Sequence, residues 1–429
     1  ECLIAELRRR DSILKNLDWP IVFLYIILVV MGWFNIFASV YDPETAFNIF
    51  DISLSSGRQL LFIGGSVILI VVILLLDFRI YESFAPYLYI LFILLLMGVL
   101  VFGAKINGAR AWFDLGIFRL QPSEFTKLAT ALLLARYVSN NNVKLTEFKH
   151  QLIALFIIFL PVGFIMLQPD LGSSLIFFAF VLPLFREGLP AIYLIVAGSF
   201  ALVGVLTLLL PINIIIIIAL IAGVIWIAVT SRTVSNIVIT SLLILMSVGF
   251  SYGFGYTFEN LVPKYQKDRI LVIFDSNSVD PLGAGYNLNQ SKIAIGSGGF
   301  AGKGFLEGTQ TKYGYVPEQS TDFIFSTLAE EHGWLGSSLV IALFVILMIR
   351  ITIIAERQKF KFARFYGYAV ASIIFFHFTI NIAMTIGLFP VVGIPLPFFS
   401  YGGSSLWSFT IMLFVLLKMD MHRTQVLSR

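Results

Sequence analysis

The sequence predicts an all-α integral membrane protein, a polytopic helix bundle of about 12 transmembrane helices with a long outer loop before the span at 334–355. Three observations predict it. Hydrophobic residues make up 58% of the chain and charged residues only 13%, against roughly 25% charged in soluble domains. Apolar windows recur at the length of about 20 residues that crosses a bilayer as helix. Lys and Arg gather in alternate connecting segments, the asymmetry expected of inner loops.

Residues 1–18 predict a cytoplasmic amphipathic segment, with Leu3, Leu7 and Leu14 on one side and basic residues on the other, suited to lying on the inner leaflet. Its mixed charge is unlike a cleavable signal peptide. A single polytopic transmembrane domain is expected over 19–419, followed by a cytoplasmic tail at 420–429. Its spans are read as Trp19–Val40, Gln59–Leu76, Phe84–Phe102, Ser123–Val138, Leu152–Leu167 and Leu171–Leu184, then Leu189–Leu210, Ile212–Val229, Val234–Tyr256, Trp334–Ala355, Phe365–Ile386 and Ser404–Met419. The pair joined by Pro211, Ile212 and Asn213 reads as a hairpin that either spans or lies in the interface. Removing it deletes two crossings and leaves every later loop on its side.

With both termini inside, 18 of the 29 Lys and Arg residues fall on the inner side. Ten of the remaining 11 lie in just two outer stretches, Gly103–Lys127 and the loop 258–322. That concentration against the usual bias implies an anionic ligand. The net charge of +4 sits in membrane loops, so the partners expected are membrane lipids and no nucleic acid. One cysteine excludes a disulfide framework and cysteine metal sites, and the four histidines fall in separate segments without ligand spacing and read as isolated.

The chemistry gathers in the outer stretches. In GAKINGARAWFDLGIFRLQPSEFTK, Lys105, Arg110 and Arg119 suit phosphate oxygens and Trp112 offers a flat face for a sugar ring or lipid headgroup. An interfacial tryptophan belt with snorkelling cations reads equally from composition. Pro122 fits the first turn of a helix, which places Glu124 and Lys127, three apart, on one face inside the membrane. Such a pair is expensive there, so it is a functional candidate as well as a structural one. Asp170 either orients nearby cations or caps the helix that follows.

In the long loop, DPLGAGYNLNQSKIAIGSGGFAGKG lacks both the G-x-G-x-x-G and Walker A spacings. It reads instead as flexible backbone able to approach an anion beside Lys292 and Lys303. VPEQSTDFIF then brings Gln319 and Thr321, read as substrate contacts, together with Asp322 to the point where the chain turns apolar. Thr321 is expected to cap a helix with Asp322 at an early position, where a plain helix-dipole aspartate is the alternative role. A half-desolvated carboxylate at that boundary suits a base that takes a proton from a hydroxyl. GLFPVVGIPLPFFSYGGSS, with Ser400, is too rich in Pro and Gly to continue a helix and reads as cavity wall.

Together these residues carry a resemblance. NGARAWFDLGIFRLQPSEFTKLA, QPDLGSS, DPLGAGYNLNQSKIAIGSGG, GTQ, VPEQSTDFIF with AEEHG, and VVGIPLPFFSYGGSS run in order along almost the whole chain. They are similar to motifs of the SEDS (shape, elongation, division and sporulation) membrane glycosyltransferases, and in wording more to the elongation branch, RodA, than to the division branch, FtsW. The resemblance implies polymerisation of lipid II into glycan strands at the outer face of the cytoplasmic (inner) membrane of a bacterium, releasing undecaprenyl diphosphate. It implies Asp322 as the catalytic residue, a need for Trp112, and Glu124, Lys127 and Asp170 as cavity positions. A class B penicillin-binding protein, other elongation-complex proteins and an undecaprenyl-linked glycan are the partners implied. The family usually has ten spans, so an extra hairpin is expected within Leu189–Tyr256, and Ser320 stands where a histidine is frequent. No protein-held metal is expected, while Mg²⁺ or Mn²⁺ carried on the substrate stays open. The rival reading is a lipid II flippase, since buried charges and Pro/Gly-broken helices suit a transport path. It needs polar groups toward both leaflets, whereas the inner halves of these spans are nearly free of charge.

Overall fold

The computed structural model describes residues 17–41, 50–106, 109–116, 118–230, 233–260, 262, 264–274 and 285–423. The amphipathic helix expected over the first residues lies outside the described residues up to 16, as do 275–284 of the long loop and 424–429 of the tail. The architecture is all-α, with one small sheet. In order the elements are α1 (Trp19–Val40), α2 (Ser55–Leu75), α3 (Phe78–Phe102), β1 (Ala104–Ile106), β2 (Ala109–Asp114), β3 (Arg119–Leu120), α4 (Pro122–Ser139), α5 (Phe148–Leu167), α6 (Leu171–Ile176) and α7 (Val181–Arg186). Then come α8 (Ile192–Leu209), α9 (Ile212–Val229), α10 (Val234–Asn260), α11 (Lys264–Phe274), α12 (Tyr286–Gly298), α13 (Thr309–Lys312), α14 (Ile324–Glu356), α15 (Lys361–Thr385) and α16 (Gly403–Met421).

Ten of the described helices are long and apolar enough to cross a membrane. The other two expected spans are helical too, but of a different kind. Helix α4 carries Glu124, Lys127 and Arg136 and is buried along most of its length, so its polar groups meet protein partners rather than lipid. The stretch Leu171–Arg186 is a short apolar segment, in which a 3₁₀ turn, Phe177–Phe180, separates α6 from α7.

The chain forms two compact units, residues 1–189 with 287–429, and residues 190–286. In the second, α8 and α9 pack on α10. Gly223 of α9 admits that approach, because a Cβ there would stand 2.5 Å from Ile244. In the first unit α16 is the most enclosed of the membrane-length helices, packed against α2, α4 and α15. Its small and hydroxylated residues permit close approach, the usual device where lipid gives no hydrophobic drive between helices. Tyr25 of α1 bonds Thr410 at 3.0 Å, and Ser408 donates to the Glu124 carbonyl at 2.7 Å. At the start of α1, Asp18 is paired with Arg350 and Arg357. Burial raises its carboxyl, but the two guanidiniums outweigh that and hold it below its ordinary value.

Helix α14 is broken at Gly333 (φ 61°, ψ −156°), and the segment after α12 fills the break. Lys303 N–H donates to the Glu330 carbonyl at 3.1 Å and Gly304 N–H to that of Glu331 at 3.0 Å, while Trp334 and Leu335 N–H groups donate to Gly299 and Phe300. Both broken ends are thereby satisfied. Gly302 (φ +82°) lies so close that a Cβ would stand 2.1 Å from the Glu331 carbonyl oxygen. The glycines expected to admit an anion are thus taken up by chain packing at 298 and 302, because the broken helix needs backbone donors at contact distance. Gly302→Ala is expected to cost about 1–3 kcal/mol from its positive φ alone, with the clash in addition. An unchanged unfolding midpoint in detergent would contradict this.

Candidate active site

Asp322 lies on a tight turn before α14, which starts at Ile324 with Phe323 at its N-cap. The expected cap by Thr321 is not formed. Its hydroxyl instead donates to the carbonyl and carboxylate of Glu318, because the turn places it two residues before the N-cap, Phe323, too early for the first free N–H groups of the helix. Asp322 is half-buried. Its Oδ2 lies 3.1 Å from where a Cβ on Gly393 (φ +68°) would stand, so the carboxylate rests against a position with no side chain.

The Pro/Gly-rich segment before α16 is non-helical from Pro390 to Leu396, as the sequence predicts. It is fastened by polar bonds, as irregular backbone at membrane depth requires. Ser400 Oγ donates to the Thr321 carbonyl at 2.7 Å and accepts from Leu396 N–H at 2.8 Å. Tyr401 N–H donates to the Ser320 carbonyl at 2.9 Å. From α15, Asn381 Nδ2 donates to the carbonyls of Asp322 at 2.8 Å and Ile394 at 2.7 Å. Gly172 of α6 presses on the same segment, since a Cβ there would stand 2.2 Å from the Val392 oxygen.

On α4, Pro122 occupies the first turn, and Lys127 reaches Glu124 Oε1 at 2.9 Å with both side chains enclosed. Lys127 Nζ also bonds His377 Nε2 at 2.8 Å and lies 5.2 Å from the Phe409 ring centroid, a distance at which the ring attracts a cation. His377 Nδ1 bonds the Pro395 carbonyl at 3.1 Å. Asp170 caps α6 through Ser173 N–H at 3.0 Å, accepts from the Ser173 hydroxyl at 2.7 Å, and accepts from Gln121 Nε2 at 3.0 Å. It is also within electrostatic reach of Lys127, so both roles read for it from sequence are occupied.

The three-stranded sheet β1–β2–β3 holds the tryptophan stretch. Lys105 pairs with Arg110, Trp112 with Ala104, and Asp114 with Arg119. The register shifts between Ala104 and Lys105, an irregularity that interrupts the alternation of side chains between Arg110 and Trp112, and Phe113 turns toward Gly98 of α3. The sheet is tied to α16 through Ser404 Oγ, which donates to the Arg119 carbonyl at 2.8 Å and accepts from Gln121 N–H at 3.1 Å. Tyr401 feels Arg58 and Arg119. Burial pushes its phenol above the ordinary value, and the two cations oppose that rise.

The structure therefore brings Asp322, Thr321, Ser400, Asp170, Glu124 and Lys127 around one irregular segment. Lys292 joins them from α12, lying across Gly387 where that segment begins. Three of the expected substrate contacts are otherwise engaged, the Thr321 hydroxyl by Glu318 as above. Lys303 is bound to the buried Glu330 at 2.7 Å and to Thr309 at 2.6 Å, where Glu330 also accepts from Gln310 and Thr311 N–H groups. Gln319 Nε2 donates to the carbonyls of Ser39 and Thr311 and so joins α1 to α13. Residues missed from sequence are His377, Asn381, Gln121 and Tyr401. His377 and Asn381 had a legible signal, two polar residues four apart inside an apolar span. Among the described residues no group of three or more His, Cys, Asp or Glu side chains is set to hold a metal.

Comparison with known proteins follows the same lines. A family model described as cell cycle protein, FtsW/RodA/SpoVE, matches residues 18–214 and 207–425. The chain is 39% identical over 345 residues to the peptidoglycan glycosyltransferase MrdB of Escherichia coli K12, covering 80% of each chain. It is 32% identical to the peptidoglycan glycosyltransferase RodA of Treponema pallidum, covering 92% of this chain and 95% of that one. A chain of a solved peptidoglycan synthase complex that coordinates polymerization and crosslinking superposes with a TM-score of 0.71 at 27% identity, over 96% of this chain and 99% of that one.

Proposed function

This chain belongs to the FtsW/RodA/SpoVE family of cell cycle proteins, and from that premise we propose how it works as a peptidoglycan glycosyltransferase of the bacterial inner membrane, with Asp322 as general base. The substrate is lipid II. Asp322 takes the proton from the 4-hydroxyl of the acceptor GlcNAc as that oxygen attacks C1 of the donor MurNAc. The C1–O bond to the diphosphate breaks, undecaprenyl diphosphate leaves with the electron pair, and the anomeric configuration inverts. Base catalysis of this kind is commonly worth about 10² to 10⁴ in rate.

The observation that supports this best is the placement of the Asp322 carboxylate. It rests half-buried against Gly393, on backbone clamped by Asn381 and by the Ser400 bond to Thr321. A base held this way meets a hydroxyl at defined distance, and orientation of that kind is a large part of catalytic power. Trp112 would receive a sugar ring, with Arg110, Lys105 and Lys292 balancing charge on the diphosphate as it leaves. A divalent cation, Mg²⁺ or Mn²⁺, would enter on that diphosphate rather than reside in the protein. The reaction faces the periplasm or exterior, with both termini cytoplasmic, and the product passes to a class B penicillin-binding protein among the other elongation-complex proteins.

The test uses the full chain purified in detergent, where no membrane sides exist. Incubation with lipid II should yield glycan polymer and undecaprenyl diphosphate. A flippase has nothing to transport under these conditions, so absence of polymer from the folded wild type would sink the enzymatic reading.

A further inference from the structure

We infer that His377 and Asn381 are positioning residues that hold Asp322 at its working distance, and that Lys127 sets the tautomer on which His377 depends. The inference rests on the reading of Asp322 as base. The two residues are four apart on α15 and share one face of that helix. Asn381 donates to the Asp322 carbonyl and to that of Ile394. His377 bonds the next carbonyl along, that of Pro395. Two successive carbonyls of the irregular segment are therefore pinned to one helix face, and the residue before them is Gly393, against which the Asp322 carboxylate lies.

The hydrogen-bond directions are determined by chemistry. A backbone carbonyl only accepts, so Nδ1 of His377 carries the ring proton and Nε2 is left as acceptor. Lys127, a donor without acceptor capacity, meets that Nε2 at 2.8 Å. The other tautomer would place a bare nitrogen against the Pro395 oxygen and a proton against an ammonium. Lys127 thus selects the imidazole form that holds the segment, in the way that the partner of one ring nitrogen commonly sets the role of the other. Glu124, bound to the same ammonium at 2.9 Å, steadies the lysine. Neither His377 nor Asn381 touches a reacting atom in this scheme.

The two nitrogens of His377 can be replaced separately. His377→Asn keeps a donor near the Nδ1 position and loses the group facing Lys127. His377→Gln reaches the Nε2 position and loses the donor to Pro395. The full chain in detergent is assayed over a range of lipid II concentrations, with unfolding midpoints recorded for each variant. His377→Asn should keep kcat within about threefold, and His377→Gln should lose about tenfold or more at unchanged KM, the scale on which small misplacements of a reacting group act. A residue of merely structural value would give equal turnover in two variants of equal polarity. Equal turnover, or a glutamine variant faster than the asparagine one, overturns the inference. Asp322→Asn is run beside them. If it turns over like wild type, the base reading fails while the Asn/Gln contrast is still read. If it is inactive and the contrast is absent, the positioning inference alone fails.

Discussion

Asp322→Asn should lower the turnover of glycan polymerisation by about 10² to 10⁴, the range over which a positioned general base acts, with little change in KM for lipid II. The substitution preserves shape. The backbone carbonyl of residue 322 still accepts from Asn381, the Thr321 carbonyl still accepts from Ser400, and the amide fits against Gly393 as the carboxylate does. What is lost is the capacity to accept a proton, which matters only as the acceptor oxygen attacks. An interaction made only in the transition state lowers kcat and kcat/KM together. Asp322→Glu should not restore the rate. With Oδ2 already 3.1 Å from the place of a Cβ on Gly393, a longer side chain must displace the segment that His377 and Asn381 pin. Folding is expected to be unaffected in the Asn variant, so thermal unfolding and polymerisation measured on one preparation separate the two. Near wild-type turnover from Asp322→Asn would remove this residue from the chemistry.

How much of this is legible in the sequence alone differs from residue to residue, for physical reasons. The spans were legible because bilayer thickness and the absence of water impose length and apolarity on each one. Glu124 with Lys127 was legible because helical spacing alone places residues three apart on one face. The non-helical segment around Gly393 was legible because Pro and Gly leave few alternatives. Partnership between distant positions was not. Lys303 and a free phosphate-binding lysine look identical in sequence, and only the break at Gly333 brings Glu330 against Lys303. Gln319 likewise looked like a substrate contact because it stands three residues from Asp322, yet its amide is spent on the Ser39 and Thr311 carbonyls. His377 reads as a lone histidine until α4 and α15 pack together.

Lys127→Met should fail for two separable reasons, and a second substitution distinguishes them. Glu124 is buried with one carboxylate oxygen already lacking a hydrogen-bond partner in the described structure, and the other bonded to Lys127. Removing the ammonium leaves that charge uncompensated, and breaking a buried pair from one side commonly costs about 3–5 kcal/mol. A lower unfolding midpoint and loss of polymer are therefore both expected of the single variant. Adding Glu124→Gln removes the stranded charge, and the double variant should regain most of the lost stability. Turnover should stay low, because His377 Nε2 still lacks its donor and only the Pro395 carbonyl is left to hold the ring proton in place. Stability and turnover recovered together would mean that Lys127 serves only to neutralise Glu124. Stability recovered alone would tie the lysine to the aim of Asp322, through a histidine and a backbone carbonyl rather than through contact with substrate.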